Sequence, residues 1–416
     1  MKLLQYKKLK FFFDSGITFA GVVILTFFAY LYHFLMVRFL SPRDYGELSV
    51  LIGTFAIITF PATSIQSLLS TEVSRLHLKR EEEKMTYFIF KHLGLFAFIC
   101  SIPFFLSLIF IFLFKDAAVP YVLMLLGTII IYLIAIPSAY FQGTENIVIA
   151  SFIQGFIAFI RFIVSGIMVI LGLGLFGAIL AFPLSSLFVL SLLLIPFIGK
   201  KRIEKYSINF NYRIGYVFVT GMLFTIFMYL DLFATKLFIG AEAAGIYNAA
   251  AITARILYFL SSGLVLVFMP TSSKLSKKEP PGKRHLILLG KSAFMLLLPL
   301  LFFLAVPSQI LSFFYTPQFS SPLVFSILSI GAFFFSLFFL SINIFWSYGD
   351  EKTPFLLSLL GVFLHFLILC FLGFYYPSIE NFSLATLLSS ITLFSLSFLF
   401  LFGYPKSLLG YHTSEF

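Results

Sequence analysis

The segment RFLSPRDYGELS, residues 38–49, is a short charged stretch between two apolar runs that are each long enough to cross a membrane. A similar segment, KLFIGAEAAGIYN, occupies residues 236–248 in the second half of the chain. When the flanking residues are aligned as well, Gly46 lies over Gly245. The same kind of connection between apolar runs therefore occurs twice.

Two further connections repeat in the same order along the chain. SRLHLKREEEK (74–84) aligns with SKLSKKEPPGK (273–283), and YFQGTENIVIASFIQG (140–155) aligns with WSYGDEKTPFLLSLLG (346–361). Three matches in one order indicate an internal duplication, which is common among membrane transporters. We expect the paired tyrosines and glycines of the first repeat to serve helix packing rather than ligand contact: Tyr45, Gly46, Gly245 and Tyr247.

The composition indicates an integral membrane protein. Hydrophobic residues make up 60% of the 416 residues and charged residues 11%, whereas a soluble domain carries roughly a quarter charged residues. The apolar residues form runs of about twenty, the length of an α-helix that crosses about 30 Å of hydrocarbon. The runs lack the alternation of barrel strands, so we expect an all-α membrane protein.

We predict about twelve transmembrane helices in two six-helix lobes, residues 1–205 and 206–416. Because each lobe holds an even number of spans, both copies have the same orientation, and we expect a pseudo-twofold axis along the membrane normal. The predicted spans are roughly 15–37, 46–70, 88–114, 120–141, 149–171, 175–199, 213–238, 245–270, 286–306, 322–347, 354–376 and 382–404.

The basic residues between the spans are concentrated on one face. If the N-terminus is cytoplasmic, 22 Lys and Arg residues lie on the cytoplasmic side and 4 on the outer side, and Arg161 and Arg255 lie inside spans. Short cytoplasmic loops are enriched in Lys and Arg. We therefore expect both termini in the cytoplasm of a multi-pass protein of the cell membrane. The net charge of +11 is explained by topology, so no nucleic-acid partner is expected.

The repeated segments resemble those of a known family. VRFLSPRDYGELSVL is similar to the first-to-second span segment of polysaccharide exporters, roughly Arg-x-Leu-Gly-Pro-x-x-Tyr-Gly, with Ser41 in place of the usual Gly. DLFATKLFIGAEAAGIYNAA is similar to their seventh-to-eighth span segment. The chain thus resembles the oligosaccharide-flippase branch of the multidrug/oligosaccharidyl-lipid/polysaccharide exporter superfamily.

This resemblance implies a transporter and not an enzyme. Such proteins move a polyprenyl-pyrophosphate-linked oligosaccharide from the cytoplasmic to the outer leaflet by alternating access of two lobes. The implied partners are the lipid-linked oligosaccharide, membrane lipids and a coupling ion, H⁺ or Na⁺. We expect no catalytic residue and no cofactor. Cys100 and Cys370 lie in separate apolar runs, so no metal cluster is expected either.

Two arginines inside the spans are candidates for substrate binding in the cavity, because an ionisable residue in a membrane is costly unless it is paired or faces water. Arg161 lies midway through the fifth predicted span and Arg255 lies in the eighth. A guanidinium makes two charge-assisted hydrogen bonds to phosphate oxygens. A structural arginine, bonded to helix-end carbonyls or to a neighbouring acid, is the alternative for Arg161.

Asp231, in the seventh predicted span, is the candidate residue for ion coupling. The seventh and eighth spans are expected to be antiparallel neighbours, so that Asp231 can pair with Arg255. One interpretation is a fixed salt bridge within one lobe. The other is a proton or sodium site whose occupancy frees or captures Arg255. Both interpretations stay open at this point.

Three more ionisable residues complete the candidate set. His33 aligns with Asp231 under the repeat and is a candidate proton carrier or gate. His365 lies close to the repeat equivalent of Arg161 and is a candidate contact for a sugar hydroxyl. Asp14, at the cytoplasmic start of the first span, is a candidate gate at the inner mouth. The alternatives are packed histidines bonded to backbone carbonyls and, for Asp14, a helix N-cap.

Three other functions remain open. A multidrug/toxin extrusion-type cation antiporter has the same architecture but needs an acidic cavity, whereas Arg161 and Arg255 favour an anionic cargo. A polytopic membrane polymerase or glycosyltransferase needs a large outer loop or clustered carboxylates, and the longest predicted outer loop, 307–321, is short and has no paired acids. The third is a structural partner in an export complex.

Overall fold

The structure is a computed structural model that describes residues 2–114, 119–199, 214–276 and 282–402. All regular secondary structure in these residues is helical, as the composition predicts. The α-helices are α1 (Lys2–Phe39), α2 (Pro42–Leu78), α3 (Glu82–Phe114), α4 (Val119–Gly143), α5 (Ile147–Met168), α6 (Gly174–Leu194), α7 (Ile214–Phe238), α8 (Ala241–Ala254), α9 (Ile256–Ser276), α10 (Lys283–Ala305), α11 (Pro307–Phe314), α12 (Pro322–Ser347), α13 (Lys352–Tyr375) and α14 (Ile379–Phe402).

Ten helical stretches in the described part of the chain are long and apolar enough to cross a membrane. One of them, Ile147–Phe197, has 51 residues, about 75 Å as a straight helix and more than twice the hydrocarbon thickness. It is broken at Gly172 and Gly174, which have φ of +86° and +48°, and α5 packs against α6. This is therefore a multi-pass, all-helical membrane protein.

Parts of the predicted topology stay predictions. The predicted third span, 88–114, lies in α3, whose side chains from residue 100 onward are outside the described residues. The count of twelve spans, the lobes 1–205 and 206–416, the axis that relates them and the cytoplasmic termini likewise stay predictions. The predicted outer loop 307–321 differs from a plain loop: it contains α11, which buries Ile310 and Leu311.

The chain divides into two compact units, and the first comprises residues 1–40 and 51–214. In this unit α1 packs against α5, α6 packs against α4 and α5, and α3 packs against α4. Small residues bring α1 and α5 together: a Cβ on Gly21 would lie 2.3 Å from the carbonyl oxygen of Ser151. Close backbone approach at glycine is a common basis of helix association in membranes, because lipid tails give no hydrophobic driving force between helices.

The second unit comprises residues 41–50 and 215–416. Its central helix is α12, which packs against α8, α9, α10 and α14, and α13 packs against α14. Large side chains of α12 such as Phe338 and Phe345 are fully buried. Residues 41–50 thus belong to this unit. They include the start of α2, and the rest of α2 belongs to the first unit.

The two copies of the repeated segment meet inside the second unit, where the start of α2 crosses α8. A Cβ on Gly46 would lie 1.8 Å from the carbonyl oxygen of Ala241. A Cβ on Gly245 would lie 2.0 Å from the carbonyl oxygen of Pro42. Pro42 and Ala241 are equivalent in the repeat, as are the two glycines. Each copy therefore makes the same backbone contact with the other.

Polar side chains flank this crossing. Asn248 donates from Nδ2 to Ser49 Oγ at 2.9 Å, and these two positions are also equivalent in the repeat. Lys236 Nζ lies 2.5 Å from Glu47 Oε2. The predicted packing role of the repeated segment therefore agrees with its contacts, since the glycines touch backbone atoms and not an open cavity.

Candidate functional site

Arg161 lies in the second half of α5 in the first unit, and its guanidinium lies over aromatic rings. Its Cζ is 4.0 Å from the centroid of the Phe182 ring and 5.6 Å from that of Phe55. Its Nε is buried without a hydrogen-bond partner. In the described part of the chain no carboxylate forms an ion pair with Arg161. The acid partner of the structural alternative is therefore not found among the described residues.

The rings around Arg161 are themselves fixed by packing. Phe55 and Phe182 meet edge to face with centroids 5.1 Å apart, and Tyr32 packs edge-on against Phe182 at 5.8 Å. The Tyr32 hydroxyl donates to the carbonyl oxygen of Ala178 at 3.2 Å. We call Tyr32, Phe55 and Phe182 the aromatic cradle. A cation over aromatic faces is attracted to the ring quadrupole, and the attraction grows when water is excluded.

Asp231 lies in α7 of the second unit and is 2% exposed. Its Oδ2 accepts hydrogen bonds from the hydroxyls of Tyr247 at 2.7 Å and Thr386 at 3.0 Å. Its Oδ1 accepts from the backbone N–H of Leu232 at 2.7 Å. Arg255 Nη2 lies 3.9 Å from Oδ1. The structure therefore brings the Asp231 and Arg255 side chains together, as the antiparallel arrangement of their spans predicts.

The Arg255 guanidinium contacts other groups besides Asp231. Nη2 donates to the carbonyl oxygen of Met228, and Cζ lies 4.6 Å from the centroid of the Tyr229 ring. Nη1 is buried without a hydrogen-bond partner. The contact with Asp231 is at the limit of ion-pair distance, so the carboxylate is only one of several groups that interact with this guanidinium. The geometry is compatible with a fixed pair and with an exchangeable one.

A small cavity lies beside this pair. Its volume is about 40 Å³, and the polar residues that line it are Asp231, Arg255, Tyr258, Thr386 and Ser390. A cavity of this size holds one or a few water molecules or a small cation. Drug-sized ligands occupy pockets of roughly 300 Å³ or more, so the cavity is too small for them in this conformation.

The remaining predicted site residues are distributed over both units. His365, on α13 of the second unit, is fully buried, with Nδ1 3.0 Å from Ser389 Oγ and Nε2 without a hydrogen-bond partner. His33, on α1 of the first unit, is 7% exposed and packs edge-on against Tyr32. Asp14 lies on α1, and its side chain is outside the described residues. Each unit thus carries its own group of buried ionisable residues.

Sequence reasoning missed the neighbours of the charged residues. Tyr247 was expected to serve helix packing alone, yet its hydroxyl donates to Asp231. Thr386 gives no signal in the sequence, because hydroxyl residues are frequent in the spans and most bond to the carbonyl one turn earlier.

In the described residues no group of three or more His, Cys, Asp or Glu is arranged to hold a metal ion.

Comparison of the fold with solved structures gives extensive matches. An inward-facing multidrug resistance MATE family transporter of the MOP superfamily has a TM-score of 0.72 at 15% identity, over 93% of this chain and 97% of that chain. An outward-facing MATE family transporter of the same superfamily has a TM-score of 0.60 at 15% identity, over 93% of each chain. A MOP superfamily transporter from Pyrococcus furiosus, described by the reverse polarity of its binding pocket, has a TM-score of 0.64 at 16% identity, over 93% of each chain. These similarities establish a MATE-like fold.

The sequence itself matches a family model. No curated protein matches the chain. The model described as "Polysaccharide biosynthesis protein" matches residues 13–276, which is more than half of the chain and includes both copies of the repeated segment. The chain therefore belongs to the polysaccharide biosynthesis protein family.

Proposed function

We propose that this protein moves a polyprenyl-pyrophosphate-linked oligosaccharide from the cytoplasmic to the outer leaflet of the cell membrane by alternating access. Its family and its MATE-like fold support a membrane exporter. The observation that carries the choice of cargo is Arg161, a guanidinium inside an apolar unit that has no carboxylate partner among the described residues. Such a cation favours an anionic head group.

The proposed chemistry at Arg161 is electrostatic. A pyrophosphate brings oxygens that accept two parallel N–H donors of a guanidinium, and a charge-assisted pair of this kind is stronger where water is excluded. The protein breaks no bond; it replaces the water lost by the head group while the polyprenyl tail stays in lipid. We assign Arg255 the same role at a later stage of transport, when it leaves Asp231.

Ion coupling through Asp231 is part of the proposal. A proton or a sodium ion that occupies the cavity beside Asp231 competes with Arg255 for the carboxylate, so cation binding and release of the guanidinium are linked. Arg255 Nη2 lies 3.9 Å from Asp231 Oδ1, and Nη1 has no hydrogen-bond partner. Both observations support an Arg255 that can leave Asp231 over one held in a fully hydrogen-bonded ion pair. The roles predicted for His33, His365 and Asp14, namely proton transfer, sugar contact and inner gating, stay proposals.

The test measures flipping of a fluorescent polyprenyl-pyrophosphate oligosaccharide in proteoliposomes. We expect the wild type to move the lipid, Arg161→Ala to abolish movement, and Arg161→Lys to restore it in part, since an ammonium keeps the charge but loses the two-pronged geometry. Arg75→Ala is the matched control, because Arg75 is exposed and pairs with Glu72 one turn away. Equal rates for all four proteins would make Arg161 a structural residue.

Extrusion of an amphipathic cation is the second candidate function. It is favoured by the MATE transporters among the structural matches and by Asp231 on the wall of a cavity. The small volume of that cavity speaks against it. Transport of a cationic dye by the wild type, with no movement of the lipid-linked oligosaccharide, would decide for the extruder.

A further inference from the structure

The aromatic cradle is more than ordinary packing, because the Arg161 guanidinium lies over two of its rings and forms no ion pair among the described residues. The Phe182 ring lies closest, with Arg161 Cζ over its face at 4.0 Å. Phe182 is 1% exposed and Phe55 is 9% exposed. Neither ring offers an acceptor for an N–H group in the guanidinium plane, and Nε is left without a hydrogen-bond partner. The cradle therefore attracts the charge but leaves donors unused.

The cradle is also rigid. Tyr32 ties α1 to α6 through its hydrogen bond to Ala178 and supports the edge of Phe182. Gly127 of α4 packs against the same two residues, since a Cβ there would lie in van der Waals contact with Phe182 and Phe55, 3.4 Å from each. The rings that contact Arg161 belong to α2 and α6, and residues of α1 and α4 pack against them. A guanidinium pressed against such a surface loses rotational freedom before any ligand arrives.

We propose that Phe182, supported by Phe55 and Tyr32, is a positioning residue that holds Arg161 with one side closed and its remaining N–H donors directed at the oxyanion of the cargo. This inference rests on the proposed function. A planar guanidinium carries all its donors in one plane, so a ring against one side selects a ligand that presents two oxygens along an open edge. Phosphate and pyrophosphate oxygens satisfy this requirement.

The experiment measures initial flipping rates of the fluorescent lipid at increasing lipid content, which separates the half-saturating concentration from the maximal rate. We expect Phe182→Leu to raise the half-saturating concentration by roughly tenfold, the size of a desolvated cation–aromatic interaction. Phe182→Tyr keeps the ring and should stay near the wild type.

Phe197→Leu is the matched control, since Phe197 is 2% exposed in the same unit and packs in a separate core cluster. A similar rise in the half-saturating concentration for Phe197→Leu, or none for Phe182→Leu, would overturn the inference.

A second measurement keeps the inference testable if the wild type does not flip the lipid, which would refute the proposed function. Thermal unfolding in detergent of Arg161→Gln, Phe182→Leu and the double variant forms a double-mutant cycle. The contact is supported if the double variant loses less melting temperature than the two single variants lose together. Additive effects would refute it.

Discussion

Asp231 is a carboxylate in an apolar unit, and three hydrogen bonds replace the water that it loses on burial. Hydrogen bonds to an ionised carboxylate are stronger than those between neutral groups. The hydroxyls of Tyr247 and Thr386 and the N–H of Leu232 supply them. Arg255 adds an opposite charge at 3.9 Å. Asp231 is therefore well supplied with hydrogen bonds without a close ion pair to Arg255, which is the arrangement that the coupling hypothesis requires.

The coupling hypothesis predicts a specific loss in Asp231→Asn. This change removes the charge and keeps the shape. We expect lipid flipping to persist but to lose its acceleration by an imposed proton or sodium gradient, because the carboxylate that would bind the cation has been replaced by a neutral amide. The measurement compares initial flipping rates in proteoliposomes with and without each gradient. Glu380→Gln, in the first turn of α14, serves as the control. A gradient response that survives in Asp231→Asn would contradict the hypothesis.

The same substitution has a predicted stability effect. Removing one partner of a buried charge pair costs about 3–5 kcal/mol, since it leaves the other charge uncompensated. The double variant Asp231→Asn with Arg255→Gln should therefore be more stable than Asp231→Asn alone, as thermal unfolding in detergent can measure. A double variant less stable than either single one would show that the two charges do not compensate each other.

The sequence identifies the charged residues of the site but not their neighbours. Arg161, Arg255 and Asp231 stand out because a charge inside an apolar run is rare and costly. Phe55 and Phe182 do not stand out, because phenylalanine occurs 60 times in the chain. Their contact with Arg161 depends on α2, α5 and α6 meeting in space, and no local pattern encodes that meeting.

At the scale of helices, the crossing of α2 and α8 depends on two glycines. We predict that Gly46→Ala destabilises the protein by about 1–3 kcal/mol or more, the usual cost of overpacking, because the added Cβ would meet a backbone carbonyl 1.8 Å away. The melting temperature in detergent should fall accordingly.

A second glycine provides the control for this prediction. Gly290 lies inside α10 of the same unit, and a Cβ there would meet no atom within 4 Å. Gly290→Ala should leave stability unchanged or raise it by up to about 1 kcal/mol, since alanine is the better helix former. If both variants unfold at the same temperature, the crossing does not need glycine.

The positions of most helices follow from the lengths of the apolar runs, whereas their interruptions follow from backbone details. The GLGL sequence predicts the turn between α5 and α6, and the left-handed Gly172 occurs there. The break between α8 and α9 at Arg255 has no glycine or proline to announce it. The short helix α11 was hidden in a predicted loop, because eight residues give too little periodicity to distinguish a helix.

At the scale of the whole molecule, the distribution of basic residues predicts the orientation in the membrane. In a background of Cys100→Ser and Cys370→Ser, we expect a membrane-impermeant maleimide to label Arg43→Cys and Glu242→Cys from outside intact cells. Lys79→Cys should react only after permeabilisation. All three positions are exposed in the structure. Labelling of residue 79 from outside, or of 43 and 242 only after permeabilisation, would reverse the predicted topology.

The assignment of residues 41–50 to the second unit is the feature of the architecture that the sequence does not predict. The chain shows no break at residue 50, and α2 runs on as one helix to Leu78. The duplication predicts two similar halves, but it does not predict that the start of one copy packs against its counterpart. That contact depends on the complementarity of two backbone surfaces.

The crossing of α2 and α8 has the self-complementary form of an interface in a symmetric dimer. Gly46 and Gly245 exchange equivalent backbone contacts, as identical subunits do across a twofold axis. Under the predicted duplication, a half-length chain with a single copy of the segment would make this contact with a second molecule of itself. Joining both copies in one chain frees each to diverge. Lys236 now pairs with Glu47, whereas the equivalent positions, Arg38 and Ile246, cannot form an ion pair.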